Sequence, residues 1–325
     1  MDIILPVAGL GSRLRPQTWS KPKPLVSLAG KPILEHVLDR VLPLRPDRLV
    51  FITGYLGEQI EAWARARYPD LDLAFVKQPE MRGQTDAIVR TREIVSGDAL
   101  ILFPDMLFEA EWAVLDGLAA DGVMFTKEVE DPSALGIAVV EQGRIVKLIE
   151  KPTEPISHLA VIGIYYIKRM PDLFAAIDEQ MRRGIQLKNE YFIADAIQLM
   201  IDAGATVIAA PVTEWEDCGS VENLLATNKW ALDRMATPPV ETDNAVVLQP
   251  SVVAPSAVIE RSVVGPYASI GDGVTVRDAI VRDAVLEERA TIEGAIVEHA
   301  LIGRRAVVRG SASRLNVGDD SSVAL

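Results

Sequence analysis

The sequence predicts an α/β protein, a Rossmann-like, mostly parallel sheet, followed by a left-handed parallel β-helix. Three observations carry that reading. Short apolar runs alternate with helical spacings up to about residue 235; aliphatic residues then recur every five or six positions from Val247 to Val308; and Lys and Trp vanish after Lys229 and Trp230. The 325 residues hold 33 Lys plus Arg against 46 Asp plus Glu, a formal charge of −13. At roughly 100–200 residues per domain, that length fits two domains. Hydrophobic residues make up 49% of the chain, ample for packed cores. So acidic a chain is not a general nucleic-acid binder, which needs a basic face to displace counterions. The lone Cys218 excludes an intramolecular disulfide and a multi-cysteine metal site. The start, MDIILPVAGLGSR, lacks a basic n-region, and no stretch approaches the roughly 20 apolar residues of a membrane span. The expectation is a cytoplasmic protein with no membrane partner.

The elements follow in order. Asp2–Val7 reads as a buried strand that runs into a glycine-rich loop. Pro32–Val41 has helical spacing, Leu49–Thr53 is strand-like, Glu58–Arg65 helical and Ala99–Phe103 strand-like again. Strands alternating with helices imply a parallel sheet wrapped by helices. Ligands bind such sheets beyond the carboxyl ends of the strands, so the residues after Val7 and Phe103 hold privileged positions. The first domain is assigned to residues 1–235, ending after a helical run at Val221–Trp230. Met235–Asn244, with two prolines and polar neighbours, reads as a linker (236–244). Residues 245–325 form the β-helix. Val247, Val253, Ile259 and Val264 begin its inward-facing series, with small residues four places on at Ala257, Ala268, Ala290 and Ala306. That is the hexapeptide pattern, one inward aliphatic per face.

The first strand feeds LPVAGLGSRLRPQTWSKPKPL (Leu5–Leu25). Gly9 and Gly11 let the backbone approach a ligand and expose N–H groups as an anion cradle. Ser12 adds a hydroxyl and Arg13 a fixed fork for phosphate oxygens. Lys23, between Pro22 and Pro24, is a cation on a stiffened loop. Two better-known phosphate motifs fail: Leu14 stands where the dinucleotide fingerprint needs a third glycine, and there is no Gly-Lys-Ser/Thr. Asp105 follows an apolar strand in LILFPDMLF, and Asp217 lies in TEWEDCGSVENL. Mg²⁺ asks for one or two protein carboxylates besides phosphate oxygens and water, which such a pair could supply. Glu150–Lys151–Pro152 in VKLIEKPTEP, followed by AVIGIY (Ala160–Tyr165) with Gly163, offers a cation at a strand end. Taken alone, each acidic residue also fits a turn or cap, and Glu150–Lys151 a surface ion pair.

Together these motifs, in this order, resemble the sugar-1-phosphate nucleotidylyltransferases that make dTDP-glucose or UDP-glucose. The resemblance covers nearly all of the first 230 residues. GLGSRLRPQTWSKPKPL matches the family's nucleotide loop and activating lysine; GQTDAI (Gly83–Ile88), with Gln78 five residues earlier, its base-side loop; PDMLF and WEDCGSVENLLATN its two metal aspartates; EKPTEP and AVIGIY its sugar-phosphate site. The resemblance implies the family's nucleotide-diphospho-sugar transferase fold. It also implies that Ala8, Gly9, Gly11, Ser12, Arg13 and Lys23 hold the triphosphate, while Gln78 and Gly83 read the base. Gly136, Glu150, Lys151, Val161 and Lys188 would hold the sugar phosphate. Asp105 and Asp217 would bind Mg²⁺, with Asp105 also facing the nucleotide. Arg13, Lys23, Asp105, Lys151 and Asp217 are the catalytic candidates. Departures from the family pattern are Ser12 for Thr, Pro104 for Gly, Leu135 for an aromatic residue, and Gln84–Thr85 for Thr-Ala.

The implied reaction is in-line attack of a sugar-phosphate oxygen on the α-phosphorus of a nucleoside triphosphate, with pyrophosphate leaving. Positioning and charge neutralisation carry such a transfer. An amide at Gln78 can accept from N3–H and donate to O4 of uracil or thymine, which favours UTP or dTTP and glucose-1-phosphate. Three alternatives stand beside this reading: a mannose-1-phosphate guanylyltransferase, an acyltransferase on the β-helix, and a non-catalytic regulatory subunit. His299, the only histidine beyond residue 235, lies two places after inward Val297 and is expected to face outward; the β-helix is expected to serve homo-oligomerisation or packing.

Overall fold

The computed structural model describes residues 1–154, 156–236, 238–310 and 315–324. Pro155 of EKPTEP, Thr237 of the expected linker, and residues 311–314 and 325 of the β-helix segment lie outside the described residues. Packing divides the chain into two compact units. One comprises Met1–Gly9, Leu38–Pro104 and Phe108–Trp215; the other Leu10–Val37, Asp105–Leu107 and Glu216–Leu325. The division is by packing and does not follow the sequence segments 1–235, 236–244 and 245–325.

The first unit is built on one sheet. Along its main path the strands run Leu73–Lys77, Arg48–Thr53, Asp2–Pro6, Ala99–Leu102, Leu159–Ile167, Gly122–Glu128, Val207–Asp217, Arg144–Glu150 and Gly136–Glu141, and Met106–Ala110 pairs with Val207–Asp217 off that path. The first four are parallel, and the crossovers that parallel strands require run through helices. Leu159–Ile167 joins antiparallel to both of its neighbours. Beyond it the sheet is mixed, because Gly136–Glu141 and Arg144–Glu150 form a hairpin rather than a crossover. Its two-residue turn, Gln142–Gly143, has φ of 48° and 78°, the hand that suits strand twist. Ile4, Val50, Ile101, Ile177 and Ile197 are all fully buried in one core between sheet and helices. Helix Gly57–Arg67 runs slightly beyond the expected Glu58–Arg65. Helix Met170–Arg183 stops where Gly184 takes a left-handed conformation.

The second unit contains a parallel β-helix, with sheets of seven and five strands. The expected inward positions form its core: Val264, Ile270, Val276, Val281, Leu286 and the later members are buried, and Val247, Val253 and Ile259 are half-buried in the first coil. Val264 pairs with Val281 and Val281 with Val297, so a coil takes seventeen residues and then sixteen. The five-residue steps in the sequence are thus faces one residue short of a hexad. Ala268, Ala284 and Ala300 stack in register and let the chain turn tightly. Helix Val221–Arg234 is capped by Ser220, whose hydroxyl accepts from the Asn223 N–H, and runs past the expected Trp230. Segment Leu10–Val37 contributes three short 3₁₀ turns, Ser12–Leu14, Gln17–Trp19 and Lys23–Leu25. Among the described residues no helix is long and apolar enough to cross a membrane.

Candidate functional site

In the β-helix unit the chain turns sharply at Gly11. Its φ is +61°, and a Cβ there would meet the Lys23 Cβ at 2.9 Å and Thr18 Cγ2 at 3.1 Å. Thr18 Oγ1 donates to the Gly11 carbonyl at 2.8 Å, closing the turn against Lys23. Glycine is required twice over, by conformation and by space. Ser12 and Arg13 stand exposed on the 3₁₀ turn that follows. In the other unit, Ala8 is buried against Gly54, where a Cβ would come 2.8 Å from the Ala8 Cβ. A Cβ on Gly9 would meet nothing within 4 Å, so packing does not demand glycine there.

Lys23 and Asp105 meet: Nζ lies 3.1 Å from Oδ2, with the lysine side chain 11% and the aspartate 48% exposed. The Cys218 N–H donates to the Asp105 carbonyl at 2.9 Å, which ties the 217–219 turn to Asp105. Asp217 accepts from the Gly219 N–H at 3.0 Å and from the Asn223 amide, and Thr227 Oγ1 donates to its carbonyl at 2.9 Å. A Cβ on Gly219 would lie 2.8 and 2.9 Å from the Asp217 carboxylate oxygens and 3.1 Å from Arg13 Nη2. The structure therefore brings Arg13, Lys23, Asp105 and Asp217 together. Burial pushes the Cys218 thiol up to about 12, so it stays a neutral packing group. No cluster of three or more His, Cys, Asp or Glu among the described residues could hold a metal. Two hard carboxylates suit an ion that takes few protein oxygens and completes its shell with phosphate and water, as Mg²⁺ does. Gly219, Asn223 and Thr227 escaped the sequence reading. Of these only Asn223 carried a signal, the Ser-x-x-Asn cap (Ser220–Asn223) inside the quoted WEDCGSVENLLATN.

In the sheet unit, Gln78 follows strand Leu73–Lys77 and is buried. Its Nε2 lies 3.1 Å from both the Gly83 carbonyl and Asp86 Oδ2. Asp86 is held in turn by Arg90, one helical turn on. Carbonyl and carboxylate can only accept, so the amide must face them with its NH₂ group, leaving Oε1 as what it offers a ligand. That differs from the sequence expectation of an amide that accepts and donates together. Gly83 has φ of +109°, and a Cβ would lie 2.3 Å from the Tyr191 N; the chain packing itself needs glycine. Asp86 and Arg90 were missed, although their four-residue spacing was visible.

Strand register gathers the second cluster of this unit. Gly136 pairs with both Glu150 and Val161. A Cβ on Gly136 would approach Glu150 Oε2 to 2.9 Å. Lys151, at φ of +47°, donates its N–H to the Leu135 carbonyl at 2.9 Å. Its Nζ sits 3.6 Å from Glu150 Oε1 and 4.4 Å from the Phe192 ring centroid. Burial holds the Glu150 carboxyl above its ordinary range; Lys151 opposes that shift, and Asp195 and Glu190 add to it. Lys188 is exposed in the turn closed by the Leu187–Glu190 backbone pair, outside these contacts. His299, half-buried, lies between Asp283 and Glu222, with Nδ1 at 2.9 Å and Nε2 at 2.6 Å; it points out of the coil core, as expected.

The nucleotidyl transferase family matches residues 2–234. The bifunctional protein GlmU of Methanocaldococcus jannaschii is 31% identical over 73% of this chain, which spans only 56% of that relative. The UTP–glucose-1-phosphate uridylyltransferase AglF of Haloferax volcanii is 32% identical, over 69% of this chain and 93% of the relative. A crystal structure of UDP-glucose pyrophosphorylase complexed with UDP-glucose superposes with a TM-score of 0.61 at 22% identity, covering 72% of this chain and 99% of that one. At that identity the likeness bears on the fold.

Proposed function

The chain belongs to the nucleotidyl transferase family, and from that premise we propose that it joins a nucleoside triphosphate to a sugar-1-phosphate, releasing pyrophosphate. The observation that carries this reading is the meeting of Lys23, Asp105, Asp217 and Arg13 beside the Gly11 turn. A sugar-phosphate oxygen attacks the α-phosphorus, the bond to the bridging oxygen breaks, and pyrophosphate departs. Backbone N–H groups from Ala8 to Ser12 cradle the triphosphate, and Arg13 and Lys23 stabilise the leaving pyrophosphate. Asp105 and Asp217 would hold Mg²⁺, which supplies charge neutralisation at the reacting phosphates. Lys151 orients the incoming sugar phosphate, supported by Glu150, Gly136 and Val161, with Lys188 contributing from its turn.

Gln78 and Gly83 serve the base. A single acceptor at Gln78 Oε1 suits the lone N3–H of uracil or thymine, whereas guanine offers adjacent N1–H and N2–H₂ donors that ask for two. UTP or dTTP with glucose-1-phosphate is the favoured pair, and AglF, named for UTP and glucose-1-phosphate, agrees with it. We assign catalysis to residues 1–235, a linker to 236–244, and a supporting, homo-oligomerising role to the β-helix at 245–325. The test is pyrophosphate release from each of the four triphosphates with glucose-, N-acetylglucosamine- and mannose-1-phosphate, with and without Mg²⁺. Turnover should be greatest with UTP or dTTP and glucose-1-phosphate, and lost with chelator. Turnover with GTP and mannose-1-phosphate alone would overturn the substrate assignment, and no turnover in any mixture would overturn the activity.

A further inference from the structure

The β-helix unit contains a buried carboxylate that its own coil does not call for. Glu287 follows inward Leu286, and its side chain is 2% exposed. The residues after the paired inward positions of the neighbouring coils, Ile270 and Ile302, are Gly271 and Gly303. The repeat therefore places glycine there, and a carboxylate at this position is costly unless it is fully partnered. Its partners all come from segment Leu10–Val37 or the adjacent residue. Oε1 accepts the Ser27 N–H at 2.8 Å; Oε2 accepts from Ser27 Oγ at 3.0 Å and from Lys21 Nζ at 2.5 Å. Lys21 also reaches Glu288 at 3.0 Å. One carboxylate thus grips the chain two residues before and four residues after Lys23.

Between the two grips run Pro22 and Pro24, whose fixed φ removes slack. Upstream, the same segment is fastened to later coils. Gln17 Nε2 lies 3.0 Å from the Leu301 carbonyl and 3.2 Å from that of Val317. Arg304 Nη2 donates to the Ser20 carbonyl at 2.7 Å, while Asp319 takes both Ser20 Oγ and Arg304 Nε. We propose that Glu287 is a positioning residue for Lys23, so that a β-helix coil forms part of the catalytic apparatus. The proposal rests on the reading that Lys23 serves the triphosphate. Glu287 acts by fixing where the Lys21–Ser27 loop presents Lys23 toward Asp105, and a displacement on the order of 1 Å is enough to cost about a hundredfold in rate.

A double-mutant cycle on the full chain tests it, with pyrophosphate release as the readout and thermal unfolding as the check on folding. Glu287→Leu should lower kcat by about a hundredfold and Glu287→Gln, which keeps the Ser27 contacts, by about tenfold, each with KM for the sugar phosphate unchanged. The coil-surface variant Glu293→Gln should leave kcat at its starting value. Because Glu287 acts through Lys23, Glu287→Leu should cost nothing further in a Lys23→Ala background. Where Glu287→Leu does not fold, Glu287→Gln carries the same cycle. Wild-type kcat in the Glu287 variants, or equal losses with and without Lys23, would overturn the proposal. Full turnover by Lys23→Ala would be a different failure, since it removes the assignment of Lys23 itself.

Discussion

In the β-helix unit Lys23 faces Asp105 across 3.1 Å and Arg13 lies beside the turn that holds Asp217, whereas in the sheet unit Glu150 is half-buried, its side chain 14% exposed, near Asp195 and Glu190 with Lys151 at 3.6 Å. The first cluster has its cations and carboxylates matched, and Asp105 keeps half its surface open. The second places a carboxylate where burial outweighs its one close cation. A matched, open cluster can exchange its internal ion pair for phosphate and a divalent cation at little electrostatic cost. An undercompensated one is sensitive to protonation and to whatever charge arrives. The two clusters should therefore break in different ways.

The largest effect belongs to the matched cluster. Asp105→Asn and Asp217→Asn should each lower turnover by about a thousandfold, the scale of losing one preorganised electrostatic group. Thermal unfolding should move little for Asp105, whose side chain is half exposed. Raising Mg²⁺ should recover part of the activity; unchanged turnover in both variants would remove the contrast between the clusters. Gly219→Ala comes next. Its Cβ would press on the Asp217 carboxylate at 2.8 Å and on Arg13, so turnover should fall by about tenfold to a hundredfold while the fold survives.

A glycine of the sheet unit gives the opposite signature. Gly83→Ala combines a φ of +109° with a Cβ 2.3 Å from the Tyr191 N, and should cost about 3 kcal/mol of stability before any question of base binding arises. Denaturant unfolding measures it. A loss of turnover with stability intact would show that Gly83 acts on the base rather than on the chain.

The ways these positions could be read from the sequence follow the same physics. Strand–helix alternation and near-hexad spacing are periodic, so the sheet's parallel half and the β-helix core were legible residue by residue, down to Val264 and Ile302. The Gly11 turn, Lys23, Asp105 and Asp217 were legible because each sits at a strand end or in a proline- or glycine-marked loop. Partners that depend on tertiary register were not. Nothing local to Glu150 announces that Gly136 lies against it with Val161 on that glycine's other side, and nothing local to Lys23 announces that Glu287, 264 residues on, holds its loop. The direction of the Gln78 amide was likewise invisible, because it is set by Asp86 and the Gly83 carbonyl.

The smallest effect tests the undercompensated cluster. The Glu150 carboxyl is raised above its ordinary value of 4.5, chiefly by burial. In the pH range between that unfolded value and the raised folded one, the folded state binds more protons than the unfolded chain. Stability should therefore fall as pH rises through that window, and level off above it with the ionised group still buried. Glu150→Gln removes the ionisation while keeping the shape, so it should raise Tm at pH 7–8 by about 1–3 °C and lose that advantage below pH 4.5. Melting curves of the two chains across pH 4–8 give the comparison directly. The same variant should raise KM for the sugar phosphate by no more than about tenfold, since Lys151 and its contact with Phe192 remain. A Glu150→Gln chain that melts lower at pH 8 than the parent would mean that Lys151 compensates Glu150 fully, and that the two clusters are electrostatically alike after all.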